Sequence, residues 1–233
     1  LSIILVKNNK GGVGKSWLTL QLGHALALLG KNVLILTSDS QNNILDFSGI
    51  DVALGDGLES WVTKGSGDIV RLRDNLNYIP LSNNNFSKIF RNKVKERIIL
   101  LKEEYDYILI DSVPTLKVDK EFEEIADIIV IPGFMDIVTL QGVNKILESV
   151  NVKKVKAIIP NRFNNTAYEK ILLEDFKAIL EGTDILLTSP IRQSAIISNL
   201  IAKNKTVWET NSKKIESVQE ILGSVLEVIL NEK

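Results

Sequence analysis

Six consecutive residues near the start of the chain, Gly11-Gly12-Val13-Gly14-Lys15-Ser16, have the types and spacing of an anion cradle. Glycines let backbone N–H groups converge on one anion, and a helix beginning there adds the partial positive charge of its N-terminus. Lys15 can neutralise β- and γ-phosphate charge, and the Ser16 hydroxyl can hold Mg²⁺. Two carboxylates further along suit the same chemistry. Asp39 follows the apolar run VLILT, and Asp111 closes YDYILID. A carboxylate at the C-terminal end of a strand, in the crevice beside a phosphate loop, can orient a water for attack on a γ-phosphate or hold Mg²⁺ through a water. Asp39 is the candidate for the first role, with a metal contact as an added option. Asp111 is the candidate for the second. The plainer alternatives are a glycine-rich βα turn that binds nothing and, for Asp39, an Asx-turn capping its own loop.

These groups must be positioned by strands and helices, and the chain supplies both in alternation. Residues 3–6 form an apolar run that reads as a buried strand leading into the loop. A helix follows, with Leu18, Leu22, Ala25 and Leu29 on one face. Gly30-Lys31-Asn32 stops it and introduces a second strand over 33–37. Residues 44–66 are less legible, apart from a short helix over 58–64 between Gly57 and Gly65. Short strands are expected over 69–72 and 76–80, around a turn at Asp74-Asn75. The polar stretch 82–85 reads as a loop and helix cap. An amphipathic helix over 86–104 then carries Phe86, Ile89, Phe90, Val94, Ile98 and Leu101 at helical spacing. Lys88, Arg91, Lys93, Lys95 and Arg97 give it a basic face, either solvated or DNA-contacting. Strands over 105–111, 127–132, 156–160 and 184–187 alternate with helices over 122–126, 139–150 and 168–180. A helix end and loop occupy 198–205. Lys213-Lys214 opens a last helix with Ile215, Val218, Ile221, Leu222, Val225, Leu226 and Ile229 as its core stripe. The pattern predicts an α/β fold, a doubly wound and mostly parallel sheet with helices on both faces, in one domain over 1–233.

The totals narrow the classes. The 233 residues carry 28 Lys+Arg against 29 Asp+Glu, a net charge of −1, so any nucleic-acid contact must come from a local patch. With no cysteine there is no disulfide, thiolate metal site or Fe–S cluster. The single histidine, His24, sits inside the first helix, where a solvent-facing or core position is expected ahead of catalysis. No apolar run reaches the ~18 residues of a membrane span. The first residues read as a strand without a basic leader or cleavage site, so a cytoplasmic location is expected.

The strict phosphate-loop pattern G-x-x-x-x-G-K-[ST] is not met, because its first glycine would fall at Asn9. What stands there is K-G-G-V-G-K-S, with a second lysine at Lys10. This variant resembles the deviant Walker A motif of the ParA/MinD family of ATPases. The likeness extends over nearly the whole chain: the phosphate loop, the strand end at Asp39, the strand end at Asp111 followed by Ser112-Val113-Pro114-Thr115, and the turn Ser189-Pro190-Ile191-Arg192. Thr37, Ser40, Val113 and Trp17 depart from the family's usual residues.

The resemblance implies a P-loop ATPase using ATP and Mg²⁺. Nucleotide contacts would come from Lys10, Gly11, Gly12, Val13, Gly14, Lys15, Ser16 and Trp17. Asn161 would hydrogen-bond the adenine edge, and the backbone at Pro190 would lie against the base. Catalysis would rest on Lys10, Lys15 and Asp39. Two protomers would sandwich two ATPs, each Lys10 crossing to the facing nucleotide. The implied role is DNA (plasmid or chromosome) partition. The ATP dimer would bind nonspecific DNA on the nucleoid, and a ParB-like centromere-binding partner would trigger hydrolysis, which would be slow without it. DNA-contact candidates are Arg192, Lys203, Lys205, Lys213 and Lys214. Two alternatives stay open: a MinD-like cell-division-site regulator, and a nucleotide-gated DNA scaffold with little hydrolysis. The first needs a basic amphipathic membrane helix, whereas IESVQEILGSVLEVILNEK has an acidic polar face, so no membrane contact is expected. A tyrosine-kinase relative is disfavoured because no tyrosine follows Tyr168. No N-terminal helix-turn-helix is expected ahead of the first strand.

Overall fold

The computed structural model describes residues 2–113 and 118–232. In chain order the elements are β1 (Ser2–Val6), α1 (Lys15–Leu28), β2 (Val33–Thr37), α2 (Asn43–Ser48), α3 (Leu58–Lys64), β3 (Val70–Arg73), β4 (Leu76–Ile79), α4 (Lys88–Leu100), β5 (Tyr107–Asp111), α5 (Asp119–Ile125), β6 (Ile128–Gly133), α6 (Ile137–Ser149), β7 (Val155–Pro160), α7 (Ala167–Leu180), β8 (Leu186–Leu187), α8 (Ala195–Ala202) and α9 (Glu216–Asn231). The strands form one sheet in the order β3-β4-β2-β5-β1-β6-β7-β8. Every pairing is parallel except β3 with β4, whose register shifts between Arg71 and Arg73.

The inner strands are aliphatic at successive positions because both faces of a parallel sheet are covered. Their side chains alternate between two cores. Ile3, Leu5, Leu34, Leu36, Ile108 and Ile110 face a layer built from α3, α4, α5, α6 and α7. Ile4, Val33, Ile35 and Leu109 face α1, α2, α8 and α9. The β1–α1–β2 unit winds toward one edge of the sheet, while β5–α5–β6 crosses to the other side of β1. A crevice opens at this reversal, beyond the C-terminal ends of β1, β2 and β5, which is where such sheets bind ligands.

Several element boundaries differ from the sequence reading, each for a physical reason. α1 ends at Leu28, so Leu29 lies outside its packed stripe and is 56% exposed. α1 is instead buried nearly all round, Thr19, Gln21 and His24 included. The expected long helix over 86–104 is α4 plus one 3-10 turn over Leu101–Glu103. The Ser87 hydroxyl accepts the Phe90 N–H and fixes the start of α4, leaving Ile89 in solvent. α5 begins three residues ahead of the expected 122, at Asp119. Only Leu186–Leu187 of the expected strand 184–187 pairs with β7. α8 accounts for part of 198–205 but starts at Ala195, and Lys213–Ile215 is a 3-10 turn preceding α9. α2, in the illegible stretch, is only six residues long, too short to show a helical period.

Candidate nucleotide site

The phosphate loop is held by two asparagines, one on each side. Asn8, fully buried after β1, donates from Nδ2 to the Pro132 carbonyl (2.6 Å) and accepts the Lys10 N–H at Oδ1 (2.8 Å). Asn161, after β7, donates from Nδ2 to the Val13 carbonyl (2.9 Å), and its Oδ1 accepts the Arg162 N–H (3.0 Å). Between them Gly14 takes φ +97°, where a side chain is strained, and a Cβ there would stand 2.4 Å from Asn161 Nδ2. The loop therefore needs glycine at 14 both for its backbone and for the close approach of the amide.

Lys15 opens α1 and is 9% exposed, its Nζ donating to the Lys10 carbonyl at 3.1 Å. Burial pushes its amine below the ordinary lysine range, opposed by the charges of Asp111, Asp119 and Asp39. Asp111 ends β5 directly across from Val6, the last residue of β1. Burial raises its carboxyl to about 7, against the lowering effects of a hydrogen bond from Ser16 and the charge of Lys15. The donors thus gathered, a hydroxyl and two carboxylates, are hard oxygen ligands suited to Mg²⁺.

Asp39 lies across the same crevice, on the loop after β2. Its Oδ1 accepts the Gln41 N–H (2.9 Å), an Asx-turn, and its own N–H bonds Thr37 Oγ1 (2.9 Å). The loop-capping geometry and a place in the crevice are therefore both present. Ser38 Oγ accepts the Val113 N–H at 2.8 Å, tying this loop to the chain after β5. Pro114 and Thr115, the rest of the expected second switch, lie outside the described residues.

A cavity of about 580 Å³ joins these groups. Its wall includes Gly11, Gly12, Gly14, Lys15, Ser16, Trp17, Asp39, Asp111, Asn161 and Arg192 from the sequence-derived set, together with Phe47, Arg162, Ile197 and Ile201. Val13 and Pro190 are not part of that wall. Val13 is fully buried and offers its carbonyl to Asn161, while Pro190 is half-buried in the turn that follows β8. Lys10 also stands apart. Its Nζ pairs with Asp136 Oδ2 at 2.7 Å and sits 5.3 Å from the centroid of the Phe134 ring. Burial would raise the Asp136 carboxyl, but hydrogen bonds from Lys10 and Thr139 outweigh it and hold the carboxyl below its usual range. Asp136 is also the N-cap of α6, accepting the Thr139 N–H at 2.8 Å.

Behind the loop, Lys7 is 3% exposed and pairs with Asp119, and with Glu123 at 2.7 Å, both on one face of α5. Sequence reasoning passed over Lys7, Asn8 and Asp136. The signal for the α5 pair was the i, i+4 spacing of two acids, visible only once the start of that helix is known.

Arg192 lines the cavity and is exposed. Lys203 and Lys205 are exposed after α8, and Lys213 and Lys214 are exposed before α9. The 206–209 segment that joins the two pairs is braced against α1. Gln21 Oε1 accepts the Val207 N–H (2.8 Å), the Gln21 carbonyl accepts Trp208 Nε1 (2.8 Å), and His24 Nδ1 lies 2.7 Å from Thr206 Oγ1. Among the described residues no helix is long and apolar enough to cross a membrane.

A family model described as an AAA domain (AAA_31) matches residues 1–166. The sporulation initiation inhibitor protein Soj of Bacillus subtilis is 29% identical over 166 residues, spanning 64% of this chain and 65% of its own length. Among solved structures, an ATP complex of a Cyanothece McdA variant superposes with a TM-score of 0.83 at 16% identity, covering 100% of this chain and 98% of the other. The septum site-determining protein MinD of Pyrococcus horikoshii, complexed with Mg-ADP, gives 0.75 at 20% identity, with 96% and 95% covered.

Proposed function

The chain belongs to the ParA/MinD family of ATPases, and from that premise we propose that it is a dimerising, Mg²⁺-dependent ATPase that partitions plasmid or chromosomal DNA. One observation carries the reading. The buried Lys15 amine, the Ser16 hydroxyl, the Asp111 carboxyl and Asp39 line one crevice at the mouth of the glycine loop. Lys15 would exchange the Lys10 carbonyl for β- and γ-phosphate oxygens, a stronger partner because it is charged. Ser16 and, through a water, Asp111 would hold Mg²⁺, which when bound neutralises charge developing on the transferred phosphoryl group. Asp39 would leave the Gln41 N–H to orient the attacking water. Positioning and charge neutralisation suffice, since phosphoryl transfer to water asks for little covalent help.

Lys10 fits the dimer reading through its present partner. The Lys10–Asp136 pair is about one-third exposed on both sides, and such pairs contribute at most about 1 kcal/mol. A triphosphate offered by a facing protomer outbids that carboxylate with its greater charge. Lys10→Ala is expected to abolish ATP-dependent dimerisation in light scattering while leaving nucleotide binding to the monomer. Unchanged dimerisation would remove the cross-interface role.

The braced lysine pairs supply the DNA surface of this reading. DNA retention with ATP, ADP and no nucleotide, at two salt concentrations, tests it, together with phosphate release in the presence of DNA and a ParB-like partner. Retention that ignores the nucleotide would refute the partition role. Retention with ATP but no phosphate release would instead favour the scaffold reading. The MinD-like reading draws no support from α9, which buries Val218, Leu222, Val225, Leu226 and Ile229 and so turns its apolar stripe away from any membrane.

A further inference from the structure

Two consecutive residues at the end of β1 hold both ends of the stretch that joins β5 to α5. At its start, the Ser112 hydroxyl donates to the Val6 carbonyl at 3.2 Å. At its far end, the Lys7 amine donates to Asp119 and pairs with Glu123 at 2.7 Å. Lys7 is itself pinned, since its N–H donates to the Val130 carbonyl of β6 at 3.0 Å. The start of this stretch borders the crevice where hydrolysis is expected. Ser112 and Val113 line the cavity, and the Val113 N–H reaches Ser38 Oγ, next to Asp39.

α5 does not need Lys7 in order to stay packed. Val118 and Phe122 are fully buried in the core on that side of the sheet. Apolar burial is non-directional, so it holds the helix without fixing its rotation or its distance from β1. A charge-assisted hydrogen bond has both a direction and a length. A buried ion pair is also a poor means of stabilising a fold, because taking the charges out of water offsets most of their attraction. Among the described residues Asp119 Oδ1 accepts no hydrogen bond, so Lys7 is the partner that compensates this buried carboxylate.

We propose that Lys7 is a positioning residue for ATP hydrolysis: by gripping Asp119 and Glu123 it fixes α5 against β1, and so sets the chain leaving Asp111 that braces Ser38 and Asp39 at the attacking water. This rests on the ATPase reading given above and extends it to a residue outside the cavity wall. A shift of about 1 Å at a group that orients a reactant costs about 100-fold in rate, even when the substitution lies away from the chemistry. Nucleotide affinity comes from the phosphate loop and is spared.

The test separates rate from stability. Steady-state phosphate release at saturating Mg²⁺-ATP, ATP affinity and urea midpoints are measured for the full chain, for Lys7→Met, and for Lys7→Met combined with Asp119→Asn. The double variant removes the uncompensated carboxylate together with the amine, so it carries the test if Lys7→Met alone does not fold. Both variants are expected to lose about 10- to 100-fold in kcat and to bind ATP within about threefold of the wild type. The expected signature is a double variant that is more stable than Lys7→Met and no faster. A rate that recovers along with the urea midpoint would overturn the proposal, because the cluster would then be merely structural. A loss of ATP affinity as large as the loss of rate would also overturn it, by placing the damage in the phosphate loop. A wild type that binds ATP but releases no phosphate overturns the ATPase reading and this proposal with it. A wild type whose rate the double variant matches overturns this proposal alone.

Discussion

His24 shows what a buried titratable side chain does to this chain. It is 5% exposed and faces Thr206, with Glu209 and Arg73 nearby. Burial pushes its imidazole below the ordinary value of 6.5; the charge of Glu209 opposes this and that of Arg73 adds to it. The folded state therefore binds fewer protons than the unfolded state just below pH 6.5. The sign follows: the group's contribution to stability is present above pH 6.5 and is lost as the pH falls through the depressed folded value. Urea midpoints measured from pH 8 to pH 5 should decline for the wild type, and His24→Gln should flatten that part of the curve. An identical decline in the variant would place the acid sensitivity elsewhere. The same residue scale explains what was legible in the sequence. Gly12, Gly14, Lys15, Ser16 and Asp111 announce themselves because their chemistry is local: glycines at positive φ, a lysine and hydroxyl opening a helix, an acid ending an aliphatic strand. Asn8, Asp136 and Phe47 do not, because each acquires its role from a neighbour more than thirty residues away, or from a helix too short to be read.

At the scale of elements, α5 is the instructive case. Its start at Asp119 puts Asp119 and Glu123 on one face, both against Lys7 at the end of β1. The helix after the second switch is thereby bonded to the strand that feeds the phosphate loop. Removing one member of a buried ion group leaves the others uncompensated, at a cost of about 3–5 kcal/mol. Lys7→Met should lower the unfolding free energy by roughly that amount in urea titrations, and Asp119→Asn added to it should recover part of the loss. A double variant less stable than Lys7→Met would contradict the pairing. Element identity was largely legible because strands buried on both faces are continuous aliphatic runs, and β2 and α3 carry the expected bounds. Element ends were less so. Leu29 and Ile89 continue a helical period into solvent, since periodicity cannot register where a cap, such as Ser87, begins the helix or where the packing stops.

For the whole molecule, charge distribution matters more than total charge. With a net charge of −1 the chain has no bulk attraction for nucleic acid, so the proposed DNA affinity would reside in a local patch, for which Lys203, Lys205, Lys213 and Lys214 are, with Arg192, the candidates. Each lysine that contacts a phosphate should add about 0.9 to the slope of log affinity against log salt. Single alanine substitutions of these four, in the ATP state, should each reduce the slope by about that amount and weaken all DNA sequences alike. A slope unmoved by all four substitutions would put the DNA surface on another face.

The two margins of the sheet bear on how copies of this chain can meet. β8 contributes only two paired residues, and β3 runs antiparallel with its ladder broken between Arg71 and Arg73. A neighbour seeking to extend the ladder finds, at either border, no long flat row of free amides and carbonyls to template on. Cross-β stacking and strand exchange are thereby discouraged, which leaves the pairing proposed above to the rim that carries Lys10. Copies of the chain brought to high local concentration would then separate again without seeding fibrils.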